Sequence, residues 1–168
     1  LRDMTIHDFD LARFMLRDDP VEVFAEGGGL IDPAMMTDLK DLDTAMIIMQ
    51  TEDGKQCHIN NSRIARYGYD QRVELMGTNG MIQSDNRKEN ETKIFSSART
   101  EASAPYLNFF IERYRESFDA EIDAFVKSIM TGSKPEVGFE DGRRALILAE
   151  AAYLSIAQKR SVHVDEVG

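Results

Sequence analysis

The sequence has few of the residues that build disulfides, thiolate metal sites or membrane spans. Cys57 is the one cysteine among 168 residues, tryptophan is absent and proline occurs four times. A single thiol forms no internal disulfide, and we expect Cys57 to be a small buried hydrophobe without chemistry. No apolar run approaches the roughly 20 residues of a membrane-spanning helix, and no secretory signal pattern opens the chain. We therefore expect no membrane partner and a cytoplasmic location.

Basic residues are also in deficit. Lysine and arginine total 20 against 30 aspartates and glutamates, which gives a formal net charge of -10. Nucleic-acid backbones and anionic membranes are bound by basic surfaces, so we expect no nucleic-acid partner. The length suits one domain with a substantial core. Because the chain starts with Leu1 and opens directly in a helical pattern, we expect residues 1–168 to be a single domain, a fragment of a longer chain.

The apolar pattern predicts an α+β fold. The order is one helix, a run of strands, two helices and a closing strand, and Asp-Gly and Asn-Gly pairs mark two hairpin turns. Segment 30–41, which contains Pro33, is interpreted as a loop. Helices are predicted over 3–16, 108–130 and 139–159, and strands over 20–26, 43–51, 56–63, 71–77, 81–84, 91–97, 99–103 and 161–165.

Apolar residues at two-residue spacing mark one face of the predicted sheet. Met46 and Ile48 follow this spacing, as do Val73 and Leu75. They can cover a helix layer or a partner sheet, and ordinary core packing is the expectation for most such residues. An exposed apolar face would instead favour oligomerisation.

The first predicted helix contains the candidate catalytic residues. Asp3 and His7 are four residues apart, a spacing that shares one helix face. An imidazole accepts a proton from an alcohol near neutral pH, and a neighbouring carboxylate holds the ring or binds another hydroxyl. Thr5 lies between them and has a hydroxyl to offer a ligand. The alternative is a solvated first turn whose acidic residues complement the helix dipole, with the Thr5 hydroxyl bonded to its own backbone.

Metal and phosphate sites are not expected. His7, Asp8 and Asp10 diverge around a helix by about 100° per residue, and neither His58 nor His163 has partners at ligand spacing. The three glycines at 27–29 follow a strand pattern without a helix start to supply amide donors, and no Gly-rich dinucleotide turn occurs elsewhere.

Three stretches resemble the glucose-fructose oxidoreductase, inositol dehydrogenase and rhizopine-catabolism (Gfo/Idh/MocA) family. Residues 3–10 are similar to its D-x-x-x-H helix. Residues 58–63 with 67–77, which include Tyr-Gly-Tyr-Asp-Gln-Arg, resemble the inositol dehydrogenase branch, and residues 141–152 resemble the C-terminal helix. The likeness spans nearly the whole chain.

This resemblance implies a C-terminal substrate-binding and oligomerisation domain. Its sheet would be mostly antiparallel and open, with helices on one face and the other face used for contacts in a homo-oligomer. NAD would bind mainly to an N-terminal domain outside this chain, where the family also places a catalytic lysine. The full-length parent would oxidise a ring secondary hydroxyl of inositol to a ketone, and the isolated chain would be inactive. The alternatives are another sugar or polyol dehydrogenase of this family and a non-catalytic assembly module.

Site roles follow from the same resemblance. His7 resembles the proton-transferring histidine, and Asp3 resembles the carboxylate that contacts substrate hydroxyls. Tyr67 resembles a substrate-pocket tyrosine whose phenol donates to a ring hydroxyl, ahead of its neighbour Tyr69. Two further short stretches are also considered. Asn60 and Asn61 suit polyols but are typical of turns, while residues 70–72 are alternatively expected to fix the entrance of the next strand.

Overall fold

The computed structural model describes residues 1–168 and confirms the α+β prediction with mostly antiparallel pairing. The chain forms two compact units, Leu1–Ile64 with Val137–Gly168, and Ala65–Glu136. The single-domain organisation stays a prediction. The helices are α1 (Thr5–Leu16), α2 (Pro33–Leu39), α3 (Phe110–Arg113), α4 (Arg115–Thr131) and α5 (Phe139–Gln158). The strands are β1 (Pro20–Gly28), β2 (Thr44–Thr51), β3 (Gln56–Ser62), β4 (Val73–Gly77), β5 (Gly80–Ser84), β6 (Lys93–Ile94), β7 (Ala102–Ser103) and β8 (Val162–His163).

The first unit is an antiparallel sheet in the order β3-β2-β1-β8, with α1 and α5 on one face. Phe9 of α1 meets Val23, Ile47 and Met49 of the sheet in the buried cluster. Full burial of each such side chain contributes roughly 1.5–3 kcal/mol. The buried face of α5 is built mainly of small residues, which let the helix approach the sheet closely: Ala145, Leu148, Ala149, Ala151, Ala152 and Ser155.

The Ser155 side chain bonds a backbone amide of β1 beyond the point where β8 stops pairing. The backbone N–H of Ala25 donates to Ser155 Oγ at 2.9 Å, and the Ser155 hydroxyl donates to the carbonyl of Arg160 at 2.6 Å. Strand β8 pairs only with Glu22 and Val23 of β1, so Ala25 has no partner on that side of the ladder. The serine therefore satisfies a buried amide that would otherwise cost roughly 1–3 kcal/mol.

The opposite sheet face is open and partly apolar. Met46 is 66% exposed, Ile48 is 58% exposed, and Phe24 pairs across the strands with Ile48. Core packing was the wrong expectation for Met46 and Ile48, because strand alternation turns Ala45 and Ile47 toward the helices instead. We define the three exposed residues Phe24, Met46 and Ile48 as the open face.

The loop predicted over 30–41 is wrong, because α2 lies within it. Asp32 caps this helix: its side chain accepts a hydrogen bond from the Met35 N–H at 3.0 Å. Pro33 occupies the first helical turn, where a missing N–H costs nothing and a fixed φ favours the helix. The Asp-Pro pair was therefore a helix-start signal, which the scattered acidic residues obscured.

The second unit contains the predicted β4/β5 hairpin and a much shorter β6/β7 pair. Gly77 pairs with Gly80, whose φ of 140° suits the Asn-Gly turn. The strands predicted over 91–97 and 99–103 shrink to two residues each. The backbone N–H of Ser96 bonds the Arg99 carbonyl at 2.9 Å, and Glu101 adopts a left-handed φ of 60° that breaks the predicted strand just before β7.

The helix predicted over 108–130 starts later and is interrupted at Tyr114, which separates α3 from α4. The Tyr114 N–H still bonds the Phe110 carbonyl at 2.9 Å. Gly132 ends α4 in a left-handed conformation, as the sequence predicts. The predicted strand 161–165 is also shorter: β8 gives way to a short 3-10 helix, Val164–Glu166.

Candidate active site

The candidate site lies at the start of α1, in the first unit. Helix α1 begins at Thr5, so Asp3 lies on the preceding turn rather than inside the helix as predicted. The Ile6 N–H bonds the Leu1 carbonyl at 3.0 Å and the His7 N–H bonds the Met4 carbonyl at 3.2 Å, which ties this turn to the helix. The Asp3 carboxylate pairs with Arg63 and not with His7. The direct Asp-His coupling expected from the spacing is therefore not formed.

His7 projects away from the core of its unit. Thr5, Phe9 and Ala12 are the buried residues of α1 and define its inner face. At about 100° per residue, His7 lies about 200° around the helix from Thr5. Its side chain is exposed. An imidazole in this position is accessible for proton exchange with a bound alcohol.

Two side chains from the end of β3 hold this part of α1. Arg63 Nη1 donates to Asp3 Oδ2 at 2.8 Å, and Asn61 Nδ2 donates to Asp8 Oδ2 at 2.9 Å. The contacts lie on either side of His7 along the chain. The sequence pattern makes Asn61 a weak ligand candidate and gives no signal for Arg63. The contacts join residues more than 50 positions apart, so no local signal could reveal them.

Asp3, Thr5, Asn61 and Arg63 line a small cavity of about 30 Å³. Thr5 is only 3% exposed, so its hydroxyl reaches a ligand only through this cavity. Ligand pockets usually measure about 300–1,000 Å³. The cavity alone is therefore too small to be a complete sugar pocket.

Asp43 also lines this cavity, although the sequence pattern gives it no role. Its buried carboxylate accepts the backbone N–H groups of Leu30, Ile31 and Asp32 at 2.8–2.9 Å, and the Thr44 hydroxyl at 2.9 Å. Burial raises the pKa of Asp43, but these hydrogen bonds outweigh it and lower the pKa below its usual value. The Asp43 carbonyl also accepts the Arg63 N–H at 2.8 Å.

Tyr67 lies in the second unit, in a network centred on Asp70. The Tyr67 hydroxyl donates to Asp70, and Arg72 binds the same carboxylate through two nitrogens at 2.8 and 3.0 Å. Asn86 Nδ2 donates to Asp70 at 2.6 Å. Burial raises the pKa of Asp70, but the bonds from Arg72, Tyr67 and Asn86 dominate and lower it to about 2.

This network changes the expected role of Tyr67. Its phenol was expected to donate to a substrate hydroxyl, but the phenolic proton is directed at Asp70, whose negative charge also raises the pKa of Tyr67. The Tyr67 oxygen is thus free to accept from a hydroxyl instead. Tyr69 is engaged elsewhere, edge-on to Tyr114 with ring centroids 5.7 Å apart. The interpretation of residues 70–72 as supports of the strand entrance agrees with these bonds.

The chain offers no Gly-rich cradle for a dinucleotide. A Cβ on Gly29 would lie 2.6 Å from Met36 Cβ, so this glycine permits close packing of the chain against α2 and does not face an anion. No three His, Cys, Asp or Glu side chains converge as metal ligands would. None of the helices is both long and apolar enough to cross a membrane.

The comparisons with known proteins agree on one family. The family described as "Oxidoreductase family, C-terminal alpha/beta domain" (Gfo/Idh/MocA) matches residues 1–164. "Myo-inositol 2-dehydrogenase" of Thermotoga maritima is 43% identical over 165 residues, which cover 98% of this chain and 49% of that protein. The chain spans about half the length of the curated relatives it matches.

Solved structures give the same result. A probable dehydrogenase from Thermotoga maritima superposes with a TM-score of 0.94 and 42% identity, covering 99% of this chain and 49% of that one. Scyllo-inositol dehydrogenase from Lactobacillus casei, with bound NAD(H) and scyllo-inositol, gives a TM-score of 0.87 at 27% identity, covering 97% and 47%. With a family match along nearly its full length, the chain belongs to the Gfo/Idh/MocA oxidoreductase family, as its C-terminal α/β domain.

Proposed function

We propose that this chain is the C-terminal substrate-binding and oligomerisation domain of an NAD-dependent inositol 2-dehydrogenase. The observation that carries the proposal is the exposed His7 on α1, with the Asp3 carboxylate also exposed on the preceding turn. The relative from Thermotoga maritima, named for myo-inositol, supports the substrate class. The isolated chain is inactive in this proposal, because it provides one part of the catalytic site.

His7 and Asp3 have different roles toward the substrate in this proposal. The imidazole of His7 accepts the proton of the hydroxyl being oxidised. The Asp3 carboxylate accepts a hydrogen bond from a neighbouring hydroxyl and fixes the ring. Thr5 is a weaker contact because it is buried, and Tyr67 is kept as a candidate substrate contact of the second unit.

NAD does not fit a site on this chain alone. The sheet is antiparallel, and the Gly27–Gly29 stretch lacks the open turn that a pyrophosphate needs. The cofactor is therefore bound mainly by another part of the parent protein, where it supplies the hydride acceptor. The structure of the scyllo-inositol relative, which holds NAD(H), supports this choice of cofactor.

The open face is proposed as the subunit contact of a homo-oligomer. Phe24, Met46 and Ile48 form an uncovered apolar strip on a sheet whose other face packs against α1 and α5. Exposed apolar patches on otherwise soluble domains mark interaction sites. A second copy presents the same strip, so the two strips can bury each other about a two-fold axis.

The proposed activity is tested with the full-length parent protein. NADH formation is followed with myo-inositol, scyllo-inositol, glucose and xylose, for the unaltered enzyme and for His7→Ala. We expect turnover with an inositol, and a loss of about 10²–10⁴-fold in kcat for His7→Ala, the range for removing a general base. His163→Ala is the matched control, because His163 is also exposed and its side chain hydrogen-bonds only within the terminal 3-10 helix.

Each of the other outcomes would change the proposed function or the proposed role of His7. Turnover only with glucose or xylose moves the assignment to another sugar dehydrogenase of the family. Turnover that survives His7→Ala removes His7 from the mechanism. Absence of turnover with every polyol favours the non-catalytic assembly module.

A further inference from the structure

We propose that Arg63 is a positioning residue that holds the Asp3 carboxylate at the substrate end of α1. The inference deepens the proposed function and rests on it for its catalytic consequence. Arg63 Nη1 lies 2.8 Å from Asp3 Oδ2, and both residues line the small cavity at the start of α1. Asp3 precedes the first helical residue, so the helix backbone alone does not fix its side chain.

Arg63 is itself anchored to the interior of the unit. Its backbone N–H donates to the carbonyl of Asp43 at 2.8 Å. Asp43 is 5% exposed, and its carboxylate collects three backbone amides and the Thr44 hydroxyl. The backbone of Arg63 is thus bonded to Asp43, which is buried and held by four hydrogen bonds of its own. The Arg63 guanidinium extends from this anchored backbone to Asp3.

A second contact from the same end of β3 strengthens this assignment. Asn61 lies in β3, and Arg63 follows its last residue, Ser62. Asn61 binds Asp8 and Arg63 binds Asp3. One contact lies just after His7 in the sequence and the other lies one turn before it. The edge of the sheet therefore holds the His7 turn at both ends.

The contact between Arg63 and Asp3 positions the Asp3 carboxylate and contributes little to the stability of the fold. The Arg63 side chain is 49% exposed and that of Asp3 is 80% exposed, and exposed ion pairs contribute roughly 0–1 kcal/mol to stability. Misplacement of a substrate-orienting group by about 1 Å can cost about 100-fold in rate. The loss of Arg63 should consequently affect substrate use far more than folding.

The test is a double-mutant cycle in the full-length parent enzyme. We expect Arg63→Ala to raise the KM for inositol about 10- to 100-fold with the KM for NAD unchanged. In an Asp3→Ala background the same change should add less than about 2-fold, because Arg63 acts through Asp3. Arg63→Lys should restore part of the loss through its point charge. Arg66→Ala is the matched control, an exposed arginine three residues along the chain without an ion pair.

A crystal structure of the Arg63→Ala variant separates this inference from the proposed function. We expect the Asp3 carboxylate to leave its present position while α1 stays in place. An unmoved Asp3 overturns the inference, as does an equal effect of Arg63→Ala in both backgrounds. If the unaltered enzyme oxidises no polyol, the proposed function fails, while the position of Asp3 in the variant still decides whether Arg63 holds it.

Discussion

At the scale of single residues, the polar contacts of this chain fall into two classes. Asp43 and Asp70 each gather three or more hydrogen bonds in sheltered positions. His7 is exposed, and Asp3 is held by a single exposed partner. Sheltered, saturated carboxylates fix the groups around them, whereas exposed groups with few partners remain available to a ligand. This contrast supports the proposal that Asp3 and His7, and neither of the better-bonded acids, contact the substrate.

The network around Asp70 makes the second unit sensitive to acid. The pKa of Asp70 is about 2 in the folded chain, below its ordinary value of 3.8. Because the folded pKa is depressed, its stabilisation is complete above about pH 4 and is lost as the pH falls toward 2. At 15% exposure of the side chain, the contribution is about 2 kcal/mol.

Urea unfolding of the chain between pH 2 and pH 5 measures this effect. We expect Asp70→Asn to be less stable than the unaltered chain at pH 5 and to lose less stability as the pH falls. Asp119→Asn, an exposed acid on α4, is the matched control. Parallel pH profiles for the unaltered chain and Asp70→Asn would contradict the assigned role of the carboxylate.

At the scale of elements, local signals predicted what short-range geometry determines. Asp53-Gly54 and Asn79-Gly80 correctly marked both hairpin turns, where Gly54 and Gly80 have φ of 81° and 140°. The helix α2 was not predicted because its apolar residues show no helical periodicity. None of its residues is buried, so no face of the helix needs to be apolar. A helix without a core face is held by its caps, and periodicity cannot detect it.

Helix α2 should therefore depend on its N-cap. Asp32→Ala removes the bond to the Met35 N–H, and we expect a local loss of about 1 kcal/mol. Amide hydrogen exchange within Pro33–Leu39 should accelerate while the melting temperature of the chain hardly changes, because α2 buries no residue. Asp38→Ala, on the same helix but away from the cap, is the control. Unchanged exchange in Asp32→Ala would show that another contact holds the helix.

At the scale of the whole molecule, the sequence predicted the family and the fold class but not how side chains combine into a site. The Asp3 to Arg63 contact joins residues 60 positions apart, and the direction of the Tyr67 proton depends on the placement of Asp70. Such contacts arise from tertiary packing and leave no local pattern. The sheet pattern likewise favoured Met46 and Ile48 for the core, whereas the position of α1 and α5 selects the opposite face of β2.

The open face supplies the last prediction. Ile48 lies in the centre of the strip and pairs with Phe24 on one side and His58 on the other. Ile48→Glu would place a charge on each copy at a contact between two copies, where like charges without partners repel and lose their hydration. We expect the full-length parent to be a homo-oligomer and Ile48→Glu to shift it to smaller species, as measured by light scattering after size exclusion. Glu22→Gln, on the same sheet face but outside the strip, is the control. If Ile48→Glu keeps the parental mass, the subunit contact lies on another surface, because an isoleucine that is already 58% exposed can be replaced without disturbing the core of its own chain.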